Sequence, residues 1–295
     1  IHKHGGGMID AVYSKPAGLY EDLCEEIGAR FKLSSYWGPL ARAASTRWIA
    51  RATAALIFSD RAPDLLFTYL PHLDYALQKH GPESGSADKA LHVLLEELGA
   101  LLDAADEAGY DVLVFGDYAM QPAERVIYPN RALREAGLMA VREVRGRLYA
   151  DLHRSGAFAV ADHQVAHVYG ARREGAAEVL EASCPGIAVE ALEECLELTA
   201  PAGAWFAYPW WHGRREAPDY AGHIDIHRKP GFDPCELFFQ WWPPGIGRDP
   251  DRVGGTHGRA DLPVAAAATL GELAGHADLL SLARAMRNLW RDDNG

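Results

Sequence analysis

The sequence predicts an α/β fold in which a largely parallel central sheet is flanked by helices. Two short apolar runs, residues 64–70 and 110–116, read as buried strands, and the stretch between them, 86–108, has the length and Leu/Ala/Glu content of a long helix. Strand, helix, strand in that order is how a parallel sheet covered by helices is written in a sequence. Pro71 ends the first run and Gly116 the second, so both strands open into turns.

Further elements follow from periodicity. Residues 17–27 and 40–56 carry apolar side chains at helical spacing, the first stopping at Gly28. Residues 157–161 and 165–169 form two strand-like runs close enough for a hairpin or a sheet extension. Residues 204–244 are rich in Trp, Tyr, Phe and Pro without a clean period, which suggests a long ordered excursion lining a cleft. Its aromatics Trp205, Phe206, Tyr208, Trp210 and Trp211 either stack on a planar ligand or simply pack. Residues 265–290 read as one or two closing helices. Nothing divides the chain, so 1–295 reads as a single domain.

The net charge of -12 argues against a nucleic-acid polymer as partner, which needs clustered Lys and Arg. It leaves room for a small phosphorylated substrate, because a bound metal can supply the positive charge. Cys24, Cys184, Cys195 and Cys235 are scattered and read as buried or half-buried thiols rather than a metal ribbon or disulfide frame. No apolar run reaches the roughly 18 residues of a membrane span. The expectation is a cytoplasmic protein without membrane contact. The opening at Ile1, followed by Gly5-Gly6-Gly7, reads as an incomplete start.

Asp74 follows the first strand and Asp117 the second, which places both beyond the carboxyl ends of parallel strands, where α/β sheets bind ligands. Either is a candidate metal ligand, and either is also an ordinary turn or cap residue. The words around them are more specific. The stretch from Tyr69 to Ser84, with Pro71, Asp74 and Gly81-Pro82, resembles a segment of the type I phosphodiesterase / nucleotide pyrophosphatase family of the alkaline phosphatase superfamily. Gly116-Asp117-Tyr118 stands in the place of that family's Ser-Asp-His-Gly word, and Gly255-Thr256-His257-Gly258 matches its late Gly-Thr-His-Gly word.

The resemblance implies an alkaline-phosphatase-like fold that hydrolyses a phosphodiester, phosphomonoester or nucleotide pyrophosphate with divalent ions, zinc or alternatively manganese. It implies metal ligation by Asp74, Asp117 and His257. Gln78 and Tyr118 stand where the family has metal-binding histidines, so the ordinary two-zinc set is not carried over intact. Asp162-His163 is the candidate replacement, an alternative being a plain turn with a solvent-facing His.

His223, Asp225 and His227 would share one face of a strand, with Arg228 and Lys229 adding charge, which makes His227, Arg228 and Lys229 candidate substrate-binding residues. The alternative is a solvated edge strand. The family's attacking Thr and an early metal-binding Asp have no match before Asp74, so the nucleophile is unassigned and the chain is expected to lack that amino-terminal part. A non-catalytic relative that binds a phosphate or metabolite is the second reading, suggested by Gln78 and Tyr118.

Overall fold

The computed structural model describes residues 12–292 apart from 226, 243 and 277. The glycine-rich opening at 5–7 lies outside these. The elements run α1 (Leu19–Ile27), α2 (Ala44–Ile57), α3 (His72–His80), α4 (Gly85–Glu107), β1 (Leu113–Phe115), β2 (Gln121–Pro122), β3 (Arg125–Ile127) and α5 (Pro129–Glu135). They continue with β4 (Val141–Val144), β5 (Arg147–Ala150), β6 (Phe158–Asp162), β7 (Val165–Tyr169), α6 (Arg173–Ser183), β8 (Ala188–Ala191), β9 (Leu196–Thr199) and β10 (Ala204–Phe206). The chain closes with β11 (Phe239–Gln240), β12 (Gly245–Ile246), β13 (Gly255–Thr256), β14 (Ala266–Ala268) and α7 (Leu279–Asp292).

The mixed α/β character expected from the sequence is present, but the described residues do not form a largely parallel central sheet. Among the described residues the largest sheet has four antiparallel strands in the order β6-β7-β9-β8, and of the named strands only β3 and β10 pair in parallel. Residues 64–70 are irregular, and Leu65, Phe67 and Tyr69 are 50%, 68% and 51% exposed. An apolar run becomes a buried strand only when neighbours satisfy its backbone on both edges, and no described strand pairs with this one. The second run forms only β1, which pairs antiparallel with β14, so the Ala-rich start of the expected closing helix is a strand instead.

The main core lies on one face of the four-stranded sheet. Period-two alternation turns Ala159 and Ala161 of β6, Ala166 and Val168 of β7, and Leu196 and Leu198 of β9 inward, against Leu133 of α5 and Ala176 and Leu180 of α6. The small alanines let the helices approach closely, and Leu180 is fully buried among them. Leu180→Ala is expected to lower stability by about 2–5 kcal/mol, from lost transfer energy plus a residual cavity. An unchanged urea midpoint would show that the site collapses around the smaller side chain. Phe206, Tyr208 and Trp210 are buried here, with the Trp210 indole donating to the Leu148 carbonyl at 3.0 Å, and Trp205 is buried in a second cluster with Tyr75, Leu237 and Phe238. All four side chains serve the packing of the interior.

The helical side of the molecule positions α3. Buried His72 accepts or donates to Thr46 Oγ1 of α2 at 2.9 Å through Nδ1, and contacts the Ala90 carbonyl of α4 at 2.9 Å through Nε2. One imidazole thus ties three helices at the start of the helix that carries Asp74. Ser84 caps α4 by accepting from the Ala87 amide at 3.1 Å, which fixes the turn between the two helices.

Candidate active site

A cavity of about 700 Å³ gathers side chains from distant parts of the chain: Tyr69 and Asp74 near the start of α3, Tyr118 after β1, Asp162 and His163 at the β6–β7 turn, and His257 after β13. Two close backbone approaches explain the convergence. Gly254-Gly255 runs against the end of α3, where the Gly254 amide donates to the Gln78 carbonyl at 2.8 Å and an added β-carbon at either glycine would strike α3 or the turn that follows it. Bare glycines there let β13 carry His257 beside α3. On the other wall, residues 230–232 cross β6 through Phe232 N–H to Ala161 O at 2.8 Å. Gly231 has φ 113°, and a β-carbon on it would collide with the Ala161 carbonyl.

Asp74 is the most strongly perturbed carboxylate on this wall. Burial pushes its pKa up to about 6, partly offset by hydrogen bonds from Gln78 and Tyr118. The Gln78 amide nitrogen lies 2.9 and 2.8 Å from its two oxygens, one helical turn along α3. Asp117, exposed in the turn after β1, does not line the cavity, but its charge is close enough to raise Asp74 and Tyr118.

The histidines form the opposite character. His163 sits in the left-handed region at φ 51°, held by its carbonyl accepting from the Phe206 amide at 2.6 Å. The Gln164 amide in turn donates to the His257 carbonyl at 2.7 Å, which locks the two segments together. The rings of His163 and His257 lie 4.0 Å apart, and Tyr118 stacks on the far face of His257 at 3.7 Å. Burial lowers His257 to about 4, and burial together with His257 lowers His163 well below its usual range. Both imidazoles are therefore uncharged at neutral pH. Neither ring nitrogen of buried His163 has a hydrogen-bond partner. Two buried, unpaired nitrogens on a cavity wall are expensive unless a ligand meets them.

Asp162 lies exposed at the rim, with burial of its carboxyl side raising its pKa. His227 lines the same cavity. His223, Asp225 and His227 do not lie in the strand expected: Asp225 Oδ1 instead accepts from the His227 and Arg228 amides at 3.1 and 3.0 Å. Arg228 is held by Asp225 through Nε at 2.6 Å. Lys229 is buried, donating to Asp233 and Glu236 at 2.7 and 2.6 Å, and faces a neighbouring cavity. It is not among the lining residues of the main cavity, and its charge is neutralised within that cluster. The aromatic wall was not anticipated: Trp37 packs on Tyr75 at 5.2 Å and on Phe232 at 4.8 Å. Trp37 is fixed by its indole N–H donating to Glu236 at 2.7 Å, a partner 199 positions away.

The family description "Type I phosphodiesterase / nucleotide pyrophosphatase" matches residues 5–202. The chain belongs to this family. The match takes in Asp74, Asp117, Asp162 and His163, while His257 lies beyond it. Among solved structures the chain is similar to murine ectonucleotide pyrophosphatase / phosphodiesterase 5, at 14% identity and a TM-score of 0.39, over 70% of this chain and 50% of that one. An inactive variant of the murine protein in complex with AMP gives the same values. The chain therefore spans about half the length of that protein. No curated protein matches it.

The perturbed Asp74 has a consequence for stability. Its pKa rises on folding from the ordinary 3.8 to about 6, so the folded state holds the proton more tightly than the unfolded one. The resulting cost to folding is absent below 3.8, grows between 3.8 and about 6, and is full above that. Asp74→Asn is expected to stabilise the metal-free protein by about 2–3 kcal/mol at pH 7.5 and by nothing measurable near pH 3.5, read by urea unfolding with chelator present. Equal stabilisation at both pH values would mean that burial of the charge is not the cause.

Proposed function

We propose that the cavity binds a small phosphorylated substrate and that the protein hydrolyses its phosphoric ester, a phosphodiester, phosphomonoester or nucleotide pyrophosphate, with the help of a divalent cation. The observation that carries this reading is the charge of the wall. Asp74 and Asp162 line the cavity with two uncharged imidazoles, and no Lys or Arg is among its lining residues. Such a wall repels a phosphate unless a cation lies between them.

The donor types suit zinc or manganese: carboxylate oxygens, neutral imidazole nitrogens, and on His163 two buried nitrogens without partners. Among the described residues, no three of these groups stand close enough to enclose an ion as they are placed. The two-ion set of the family is also short of two histidines at Gln78 and Tyr118. We assign Asp74 and His257 to hold one cation, with Asp162 and His163 supplying what Gln78 and Tyr118 do not, and Asp117 adding charge from outside. A cation held by these residues would neutralise phosphate charge and steady the leaving oxygen.

The chain's own residues position the substrate. Tyr36, Trp37 and Phe232 offer ring faces to a planar leaving group, and His227 stands on the same wall. No Ser, Thr or Cys is among the described lining residues, so none of them is assigned as the attacking group.

A second reading, a non-catalytic phosphate- or metabolite-binding relative, is favoured by one contact. The Gln78 amide already donates to both Asp74 oxygens and must turn away before Asp74 can ligate. Titration with Zn²⁺ and Mn²⁺ by calorimetry, beside turnover of p-nitrophenyl phosphate, bis-p-nitrophenyl phosphate and p-nitrophenyl thymidine monophosphate, separates the two. Stoichiometric cation uptake with metal-dependent turnover by the complete protein supports the hydrolase. Neither uptake nor turnover supports the binding protein.

A further inference from the structure

The β11–β12 hairpin ends in Trp241 and Trp242, which are 86% and 84% exposed, and Phe239 beside them is 45% exposed. Exposing two adjacent indoles to water forfeits some of the largest apolar burial that any side chain offers. The stem beneath them is well anchored. Gly247 N–H donates to the Phe238 carbonyl at 2.7 Å, Arg252 Nη1 donates to the Phe239 carbonyl at 2.9 Å, and the Arg252 guanidinium lies 4.4 Å from the centre of the Phe238 ring. The tryptophans are thus presented by a fixed support.

The surroundings are basic, in a chain whose net charge is -12. Arg248 contacts Gln240 of the hairpin at 3.4 Å, and its pKa is lowered by burial and then by Arg214 and Arg147 nearby. Among the described residues, none of Arg147, Arg214, Arg248 and Arg252 has a carboxylate oxygen within 4.0 Å, although Asp249 and Asp251 lie close in sequence. Asp249 is turned to its own backbone, accepting from the Asp251 amide at 3.3 Å. Arginines left without counter-ions beside two exposed indoles match a surface that offers phosphate groups at the depth where indoles prefer to sit.

We propose that the Trp241–Trp242 hairpin and the arginines at its base dock the protein on an anionic phospholipid surface, as a peripheral contact. No described helix is long and apolar enough to cross a membrane, and this docking requires none. The two indoles enter the headgroup region while the guanidinium groups bind lipid phosphates, and the electrostatic part is screened by salt.

The test is co-sedimentation of the full chain with vesicles of phosphatidylcholine alone and of phosphatidylcholine with phosphatidylglycerol in equal parts. The expected result is binding to the anionic vesicles only, weakened by 0.5 M NaCl, with a blue shift of tryptophan emission. Trp241→Ala with Trp242→Ala, both at the surface, should keep the far-UV circular dichroism and lose about tenfold in binding. Arg214→Glu should weaken binding without changing the fluorescence of the free protein. Failure to bind anionic vesicles, or binding that ignores the tryptophan substitutions, overturns the proposal. Self-association that depends on the same tryptophans, without vesicle binding, overturns it in favour of a second copy as occupant. Phosphoester hydrolysis is measured separately, and its presence or absence does not bear on the vesicle result.

Discussion

Asp74→Ala and His257→Ala are each expected to lower metal-dependent hydrolysis by the complete protein about 100-fold or more, with the far-UV spectrum unchanged. The expectation rests on where the two residues stand. Asp74 is a half-buried carboxylate of the cavity wall and His257 an uncharged imidazole 4.0 Å from the His163 ring, and they are brought together by the approach of Gly254-Gly255 to α3. Removing a ligand of a phosphate-activating cation commonly costs this much because the ion both binds the substrate and stabilises its charge in the transition state. Asp117→Ala is expected to act more weakly, since Asp117 is exposed and reaches the site through its charge rather than by lining it. His163→Ala should weaken cation uptake, because its two unpaired buried nitrogens disappear. Turnover that survives both Asp74→Ala and His257→Ala would remove the cavity from the reaction. Cation uptake that also survives them would remove the ligand assignment.

The grouping of these residues was legible in the sequence because short words carry it. The word around Asp74, the Asp162-His163 turn and the Gly-Thr-His-Gly word lie far apart along the chain, yet all reach one cavity. The sheet was not legible, since an apolar run states that a segment prefers to be buried or extended and does not name its neighbours. Leu65, Phe67 and Tyr69 satisfy the pattern of a strand and stand exposed, while Ala266–Ala268 satisfies the pattern of a helix and pairs with β1. The partners of the charged groups were hidden for a related reason. Arg228 and Lys229 look like substrate contacts in a His/Asp-rich stretch, but their partners Asp225, Asp233 and Glu236 follow from the fold of the loop, not from period-two alternation. The aromatic wall of Tyr36, Trp37 and Phe232 comes from two segments nearly 200 positions apart, and only the tertiary fold joins them.

Lys229→Met is expected to destabilise the protein by about 3–5 kcal/mol. Burial opposes the charge on Lys229, but Asp233 and Glu236 outweigh it and raise its pKa. The three side chains are almost wholly buried, and Glu236 also accepts from the Trp37 indole at 2.7 Å and the Asp225 amide at 3.0 Å. Methionine keeps the length of the side chain and removes the cation, so two carboxylates remain buried without compensation. That loss, rather than the net worth of the ion pairs, sets the size of the effect. Two comparisons separate this cause from simple misfit. Asp233→Asn with Glu236→Gln in the Lys229→Met background should recover most of the stability, since neutral amides need no counter-charge. The near-UV signal of Trp37, which depends on the same Glu236, should change in Lys229→Met and return in the triple variant. A urea midpoint that is unmoved by Lys229→Met would mean that water reaches the cluster and that the loop carrying His227 and Phe232 is held by its backbone contacts alone.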